Sequence, residues 1–276
     1  MANRLEVVEK DVAPPVWAAL RNEAAHAAQE EPALAALLNA VVLRHANLGA
    51  ALSYQLARKL SDQELRAMSL RELAEEAYAA DPSIIADAEA DLQAVFERDP
   101  ACKGYVQPFL YFKGFQALQT YRVAHWLWLE GREAIAHYLQ SRMSELFQVD
   151  IHPAAVIGRG AFIDHGTGIV IGETAVVGDD VSMLQDVTLG GTGAERGDRH
   201  PKVGNGVLLG AGAKVLGNIT VGDRAKIASG SVVLKPIPAG CTAAGVPARL
   251  VNCPTCPEPA RSMDHSLSDA AYDYVI

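Results

Sequence analysis

The sequence predicts an α+β protein: an all-α helical domain over residues 1–148, a parallel β-helix of hexapeptide repeats over 149–252, and a flexible tail over 253–276. Three observations predict it. Apolar residues recur every six positions from Ile151 to Pro238, the chain before them is Ala- and Leu-rich with helical spacing, and the chain after them is polar and Pro-containing. A short fixed period marks a solenoid of stacked turns, and a hexapeptide period marks a parallel β-helix in which three units close one coil.

The helical part reads in order from its punctuation. Leu34, Leu37, Leu38, Val41, His45, Leu48 and Leu52 keep the three-and-four spacing of one amphipathic helix. Start signals recur at Glu31-Pro32, at the capping boxes Ser61-Asp-Gln-Glu64 and Ser69-Leu-Arg-Glu72, and at Asp81-Pro82 and Asp99-Pro100. A long helical segment from about Pro108 to Phe147 carries most of the aromatic side chains, and the texture changes near Val149.

The repeat leads are Ile151, Ile157, Ile163, Ile171, Val177, Met183, Leu189, Val203, Leu209, Val215, Val221, Ile227 and Val233, and Gly follows seven of these thirteen. Four places after each lead the residue is mostly small or β-branched, as at Ala155, Ala161, Ala175, Val181, Ala213 and Ser231. The period breaks twice. Two extra residues, Ile169 and Val170, precede the unit led by Ile171, and about eight residues protrude between Leu189 and Val203. Irregularities on a rigid solenoid are where function concentrates, because a loop can reach a neighbour while the coils stay fixed.

Composition narrows the function classes. The net charge is −9, with 21 acidic against 14 basic side chains in residues 1–150, which disfavours a nucleic-acid binder tracking a phosphate backbone. No run of 18 apolar residues suggests a membrane span, and Glu6, Glu9 and Asp11 interrupt any signal-peptide pattern, so a cytoplasmic protein is expected. Cys253-Pro-Thr-Cys256 lacks the second pair that a zinc site needs, and Cys102, Cys241, Cys253 and Cys256 read as reduced thiols. Because flat solenoid faces must be covered and the helical domain caps one end only, an oligomer is expected.

Among the Gly, Ala and Val of the repeats, the titratable residues out of place are Asp150, His152, Asp164, His165, Arg199 and His200. Asp164-His165-Gly-Thr-Gly stands at the first break, and Arg199-His200-Pro closes the protruding loop. At these residues the chain resembles the serine acetyltransferase family. The likeness is carried by Asp150-Ile-His-Pro-Ala-Ala-Val-Ile-Gly-Arg-Gly, by the two motifs at the breaks, by Lys113-Gly-Phe-Gln-Ala-Leu-Gln-Thr-Tyr-Arg-Val-Ala-His125-Trp and by Ala-Ala-Gly-Val-Pro-Ala-Arg249, and it covers about residues 80–250.

That resemblance implies a left-handed β-helix, an exception to the usual right-handed crossover. It implies a dimer of trimers joined through the helical domain, with active sites between neighbouring β-helices. The reaction implied is acetyl transfer from acetyl-CoA, as co-substrate and without a metal, to the hydroxyl of L-serine, in cysteine biosynthesis. A serine hydroxyl needs a base near neutral pKa, for which His165 is the candidate, with Asp150 orienting its imidazole. Arg199 offers a planar fork to the substrate carboxylate, Asp99 and Asp164 match acids for its ammonium, and His200 matches a residue near the carboxylate and the reacting carbonyl.

By position, Gly191, Ala211 and Ser229 are expected along the pantetheine arm of coenzyme A, and Lys226, Lys235 and Arg249 at its phosphates. The resemblance further implies L-cysteine as a feedback inhibitor and docking of the C-terminal Ile276 into O-acetylserine sulfhydrylase. Three other readings compete: an acetyltransferase for a sugar or amino-sugar, which leaves Arg199 and the two acids without partners; a γ-type carbonic anhydrase with zinc on His152, His165 and His200; and a non-catalytic scaffold.

Overall fold

A computed structural model describes residues 15–193, 196–254 and 256–267 of the 276-residue chain. Eight helices come first: α1 (Val16–Glu30), α2 (Pro32–Leu38), α3 (Leu48–Leu60), α4 (Ala67–Ala80), α5 (Ser83–Arg98), α6 (Val106–Tyr111), α7 (Lys113–Leu129) and α8 (Glu133–Phe147). The single helix expected over 34–52 is in fact two. A π-helical turn, Asn39–Leu43, ends the first, and Asn47 starts α3 by accepting the Ala50 N–H at 2.9 Å.

Several expected helix starts do not hold. Asp62 accepts the N–H groups of Glu64 and Leu65 at 2.8 and 2.7 Å, so Ser61–Glu64 forms a local turn and α4 begins only at Ala67, with Ser69 inside it. Such side-chain-to-backbone bonds compete directly with the helix. Asp99-Pro100 likewise opens a turn, because Asp99 accepts the N–H of Ala101 at 2.8 Å. The long segment from Pro108 is broken by extended backbone at Phe112 and by Gly131 in the left-handed region at φ 71°, where it folds back as α8.

Among the described residues strands β1–β15 follow, of which β1–β14 form a parallel solenoid of about five turns with three faces. Face A stacks β1 (Val149–Ile151), β4 (Ile169–Ile171), β7 (Thr188–Gly190), β10 (Lys214–Leu216) and β13 (Val232–Val233). Face B stacks β2 (Val156–Ile157), β5 (Val176–Val177), β8 (Lys202–Val203) and β11 (Thr220–Val221). Face C stacks β3 (Phe162–Ile163), β6 (Ser182–Met183), β9 (Leu208–Leu209), β12 (Lys226–Ile227) and β14 (Thr242–Gly245), and β15 (Ala248–Asn252) returns antiparallel on β14. The repeat therefore outlasts Pro238: β14 adds one more parallel strand to face C.

The period works as a packing rule. All thirteen lead residues are buried, and the small residues four places on fill the corners between them. The two extra residues of the first break are absorbed in the turn between β3 and β4, so Ile169 points inward and Thr167 is left exposed. The long insertion leaves at Gly191 and returns in register, with Lys202–Val203 pairing onto Val176–Val177.

The helices grip the first coils through buried charge. Asp91 on α5 is fully buried and receives Arg122 of α7 through Nε at 2.9 Å and the terminal nitrogen at 2.8 Å, while its other oxygen accepts the Ala161 N–H at 3.0 Å. Arg122 also donates to the Gly158 carbonyl at 2.9 Å. Beyond β15 the described part of the tail lies on face C. A short helix, α9 (Pro259–Ser262), brings the Ala260 carbonyl to the Ser182 hydroxyl at 2.8 Å. The expected set of reduced thiols is corrected here, since Cys241 and Cys253 are joined in a disulfide that ties the last coil to the end of β15; Cys102 and Cys256 remain free.

Candidate active site

The sequence-predicted residues fall on two different edges of the solenoid. Asp164 and His165 occupy the corner between faces C and A, while His152, Arg199 and His200 occupy the corner between faces A and B. Among the described residues no hydrogen bond or ion pair joins one group to the other.

At the first corner the extra chain length makes a wide turn. His165 has left-handed backbone at φ 56°, followed by Gly166 and Gly168 at φ 77° and 80°. This lifts the imidazole out of the coil, leaving it 73% exposed, with Nε2 at 3.7 Å from Asp164 Oδ1. Asp164 is half-buried, and burial holds its carboxyl above the usual carboxylate range; His165 pulls it down and Asp99 pushes it up. Asp99 is delivered there by the end of α5. The preceding residue, Arg98, is buried and pinned to the second coil by Asp180 at 2.8 Å and Ser182 at 3.1 Å. From α7, Lys113 donates to the Thr167 hydroxyl on the same turn.

At the second corner the returning loop stacks on the coil below. The guanidinium of Arg199 meets Glu173 Oε2 at 2.8 Å and donates to the Gly197 carbonyl at 3.0 Å. That bond to Arg199 is the main reason the Glu173 carboxyl lies below its usual range. His200 is buried, and its Nδ1 accepts the Thr174 backbone N–H at 3.1 Å. A backbone N–H can only donate, so Nδ1 is unprotonated and the neutral ring carries its proton on Nε2. Burial, then the neighbouring Arg199, lowers the His200 pKa and keeps the ring neutral. His152 sits two coils from His200, on the corner before that of Glu173 and Thr174, packed edge-on against Trp128 and His137 at centroid distances of 5.1 and 5.4 Å, and burial lowers its pKa too.

Asp150 does not touch His165 within the chain. It points outward from β1, and its Oδ1 accepts from Gln140 of α8 at 2.7 Å. Of the positions expected along coenzyme A, Ala211 and Ser229 follow one another down the edge that carries Asp164 and His165, where the Gly230 N–H donates to the Ala211 carbonyl at 2.7 Å. Gly191 lies on the other edge at the root of the loop, and Lys235 and Arg249 are exposed. Lys226 is a correction: it is only 5% exposed on face C, and its ammonium is taken by the Ser266 carbonyl at 2.6 Å, so it is not an open phosphate ligand. Ile276 lies outside the described residues.

Glu173 and Thr174 are the site residues that reading the sequence missed. The signal was available, because carrying the six-residue period across the insertion stacks Arg199-His200 on Glu173-Thr174. As for a zinc centre, among the described residues of one chain no three His, Cys, Asp or Glu side chains gather as metal ligands.

Residues 16–120 match the family model for the serine acetyltransferase N-terminal region, and residues 200–235 match the bacterial transferase hexapeptide model. The serine acetyltransferase of Escherichia coli K12 is 59% identical over 249 residues, covering 90% of this chain and 91% of that protein. This chain belongs to the serine acetyltransferase family.

Solved structures agree. A serine acetyltransferase in complex with cysteine superposes with a TM-score of 0.90 at 55% identity, covering 91% of this chain and 98% of the other. The Brucella abortus serine acetyltransferase in complex with coenzyme A gives a TM-score of 0.86 at 50% identity, covering 88% and 97%. The family accounts for the helical region and the solenoid together, and it does not favour the carbonic anhydrase, sugar acetyltransferase or scaffold readings.

Proposed function

We propose that this serine acetyltransferase completes each active site between two copies of the chain. The enzyme transfers acetyl from acetyl-CoA to L-serine in cysteine biosynthesis. The observation that carries the proposal is the separation of charge: an acid-and-imidazole edge, Asp99, Asp164 and His165, and a cation-and-donor edge, Arg199 and His200, with no bond between them among the described residues. Serine is a zwitterion with a reacting hydroxyl, and it needs both edges at once. Two copies packed with unlike edges together supply them.

In this arrangement the His165 imidazole takes the proton of the serine hydroxyl as its oxygen attacks the thioester carbonyl carbon. The tetrahedral intermediate collapses with cleavage of the C–S bond, and the imidazolium returns the proton to the departing thiolate. Asp164 and Asp99 hold the ammonium, Arg199 the carboxylate through its fork, and the Nε2–H of His200 donates to an oxygen acceptor. Asp150 stabilises the His165 imidazolium from the neighbouring copy. Gly191, Ala211 and Ser229 line the pantetheine groove, with Lys235 and Arg249 at its phosphate end.

The same reading makes the chain a dimer of trimers in which residues 1–148 carry the trimer–trimer contact, residues 149–252 the chemistry and residues 253–276 the tail. L-cysteine, which differs from serine only in its thiol, competes for the serine pocket as a feedback inhibitor. The segment ending at Ile276 docks into O-acetylserine sulfhydrylase, and deletion of Ile276 abolishes that complex while sparing acetyl transfer. Among the described residues no helix is long and apolar enough to cross a membrane, and a cytoplasmic location is proposed. The deciding experiment measures release of CoA thiol from acetyl-CoA with L-serine, L-homoserine and glucosamine; faster release with glucosamine would overturn the assignment.

A further inference from the structure

The corner tripeptide Gly172-Glu173-Thr174 carries none of the substrate-facing roles assigned above, yet each member touches Arg199 or His200. A Cβ built on Gly172 would lie 2.1 Å from Cδ2 and Nε2 of the His200 ring, so the ring rests in the space a side chain would fill. Glu173 holds one terminal nitrogen of Arg199 at 2.8 Å. Thr174 does the most. Its hydroxyl oxygen accepts the backbone N–H groups of Arg199 at 3.0 Å and His200 at 3.2 Å. With its own proton it donates to His200 Nδ1 at 2.9 Å, beside the backbone donor already there.

We propose that Gly172, Glu173 and Thr174 form the positioning template of the serine-carboxylate pocket, setting the direction of the Arg199 fork and fixing His200 as a hydrogen-bond donor through Nε2. This rests on the reading of Arg199 and His200 as serine-binding residues. It has a chemical consequence that the motif match does not contain. With Nδ1 occupied by two donors and the proton on Nε2, His200 has no lone pair free to accept the serine proton. The base is therefore confined to His165, and His200 is matched to an acceptor, a carboxylate or a thioester carbonyl oxygen.

The geometry also explains why the eleven-residue loop between β7 and β8 can end in a defined site. The loop returns on a coil that is already rigid, and groups of that coil capture Arg199 and His200 just before β8 begins. A purely structural corner needs no such set. Where faces B and C meet, one Asp or Asn oxygen per coil takes a single backbone N–H of the coil before it, as Asp179 does for Arg159 and Asp223 for Asn205.

The test is steady-state kinetics of the full-length enzyme with L-serine and acetyl-CoA, together with thermal melting. Thr174→Val keeps the shape and removes the hydroxyl. The serine KM should rise about tenfold, on the scale of one or two lost hydrogen bonds, with the acetyl-CoA KM unchanged within about twofold. Thr174→Ser should restore serine KM to within about threefold of the parent, because the hydroxyl is what matters. Glu173→Ala should raise the serine KM in the same selective way, and Gly172→Ala should do so by displacing the His200 ring.

A wild-type serine KM in Thr174→Val, with Arg199→Ala or His200→Asn still raising it, would overturn the template and leave the underlying reading intact. Equal loss for both substrates that Thr174→Ser does not rescue would make the corner merely structural and would equally overturn it. If Arg199→Ala and His200→Asn both leave the serine KM unchanged, the reading on which the template rests has failed.

Discussion

Nε2 of His165 lies 3.7 Å from Oδ1 of Asp164, the residue immediately before it, on a turn whose backbone is left-handed at the histidine. A left-handed backbone is unfavourable for most side chains, by roughly 1–2 kcal/mol, and Asn is among the few that accept it. His165→Asn therefore suits the fold while removing the base. Turnover should fall by at least ~10²-fold with melting unchanged. Turnover close to the parent's in that folded variant would remove His165 from the mechanism, and the protonation of His200 Nε2 leaves no obvious substitute.

Asp164 makes the pH prediction. Burial outweighs the pull of His165, so its carboxyl titrates above the ordinary range. A group whose folded pKa is raised binds more protons folded than unfolded, so stability falls as pH rises through the window between the unfolded and folded values. Asp164→Asn should accordingly melt higher than the parent at neutral pH, with the difference vanishing below the ordinary Asp pKa. The same variant should bind serine poorly at every pH. In the parent enzyme the serine KM should rise on acidification earlier than an ordinary carboxylate would dictate. Identical melting of the two proteins at neutral pH would mean that Asp164 carries no such penalty.

The solenoid is legible because its signal is cumulative: thirteen lead residues are all buried, and both breaks in the spacing are corners that carry titratable side chains. The helix starts were less legible. Ser61-Asp-Gln-Glu64 has the letters of a capping box, but Asp62 takes the same N–H groups in a turn. At the site, residue types at the breaks pointed to Asp164, His165, Arg199 and His200. Glu173 escaped because it sits in a regular coil and becomes special only through the loop stacked above it. Lys226 misled for the converse reason, since an outward-facing lysine reads as solvated until a tail is seen to cover it.

The junction between helices and coils rests on Asp91 and Arg122, both buried. Removing either alone leaves a charge without its partner in the interior, at a cost of about 3–5 kcal/mol. Replacing both with apolar residues of similar size avoids that. Asp91→Leu with Arg122→Met should therefore melt closer to the parent than either Asp91→Ala or Arg122→Ala. Because Asp91 also accepts the Ala161 N–H and Arg122 donates to the Ile157 and Gly158 carbonyls of the first coil, the double variant should still lose some stability. Additive losses in the double variant would show that the two groups are not energetically coupled.

The Cys241–Cys253 disulfide makes the redox prediction. A disulfide closing so short a segment typically stabilises by about 2–4 kcal/mol, and such bonds persist in oxidising surroundings but open in a reducing cytoplasm. Protein purified without reductant and then unfolded should expose two thiols, those of Cys102 and Cys256. Reductant should raise that number to the four cysteines of the chain and lower the melting temperature. Cys253→Ser should melt like the reduced parent and ignore reductant. The bond holds β15 and the start of the tail against the last coil, so opening it should also loosen the tail cover over Lys226, read as faster proteolysis after Asn252. Four free thiols in the unreduced protein, or melting indifferent to reductant, would restore the sequence expectation that these cysteines are ordinary reduced thiols.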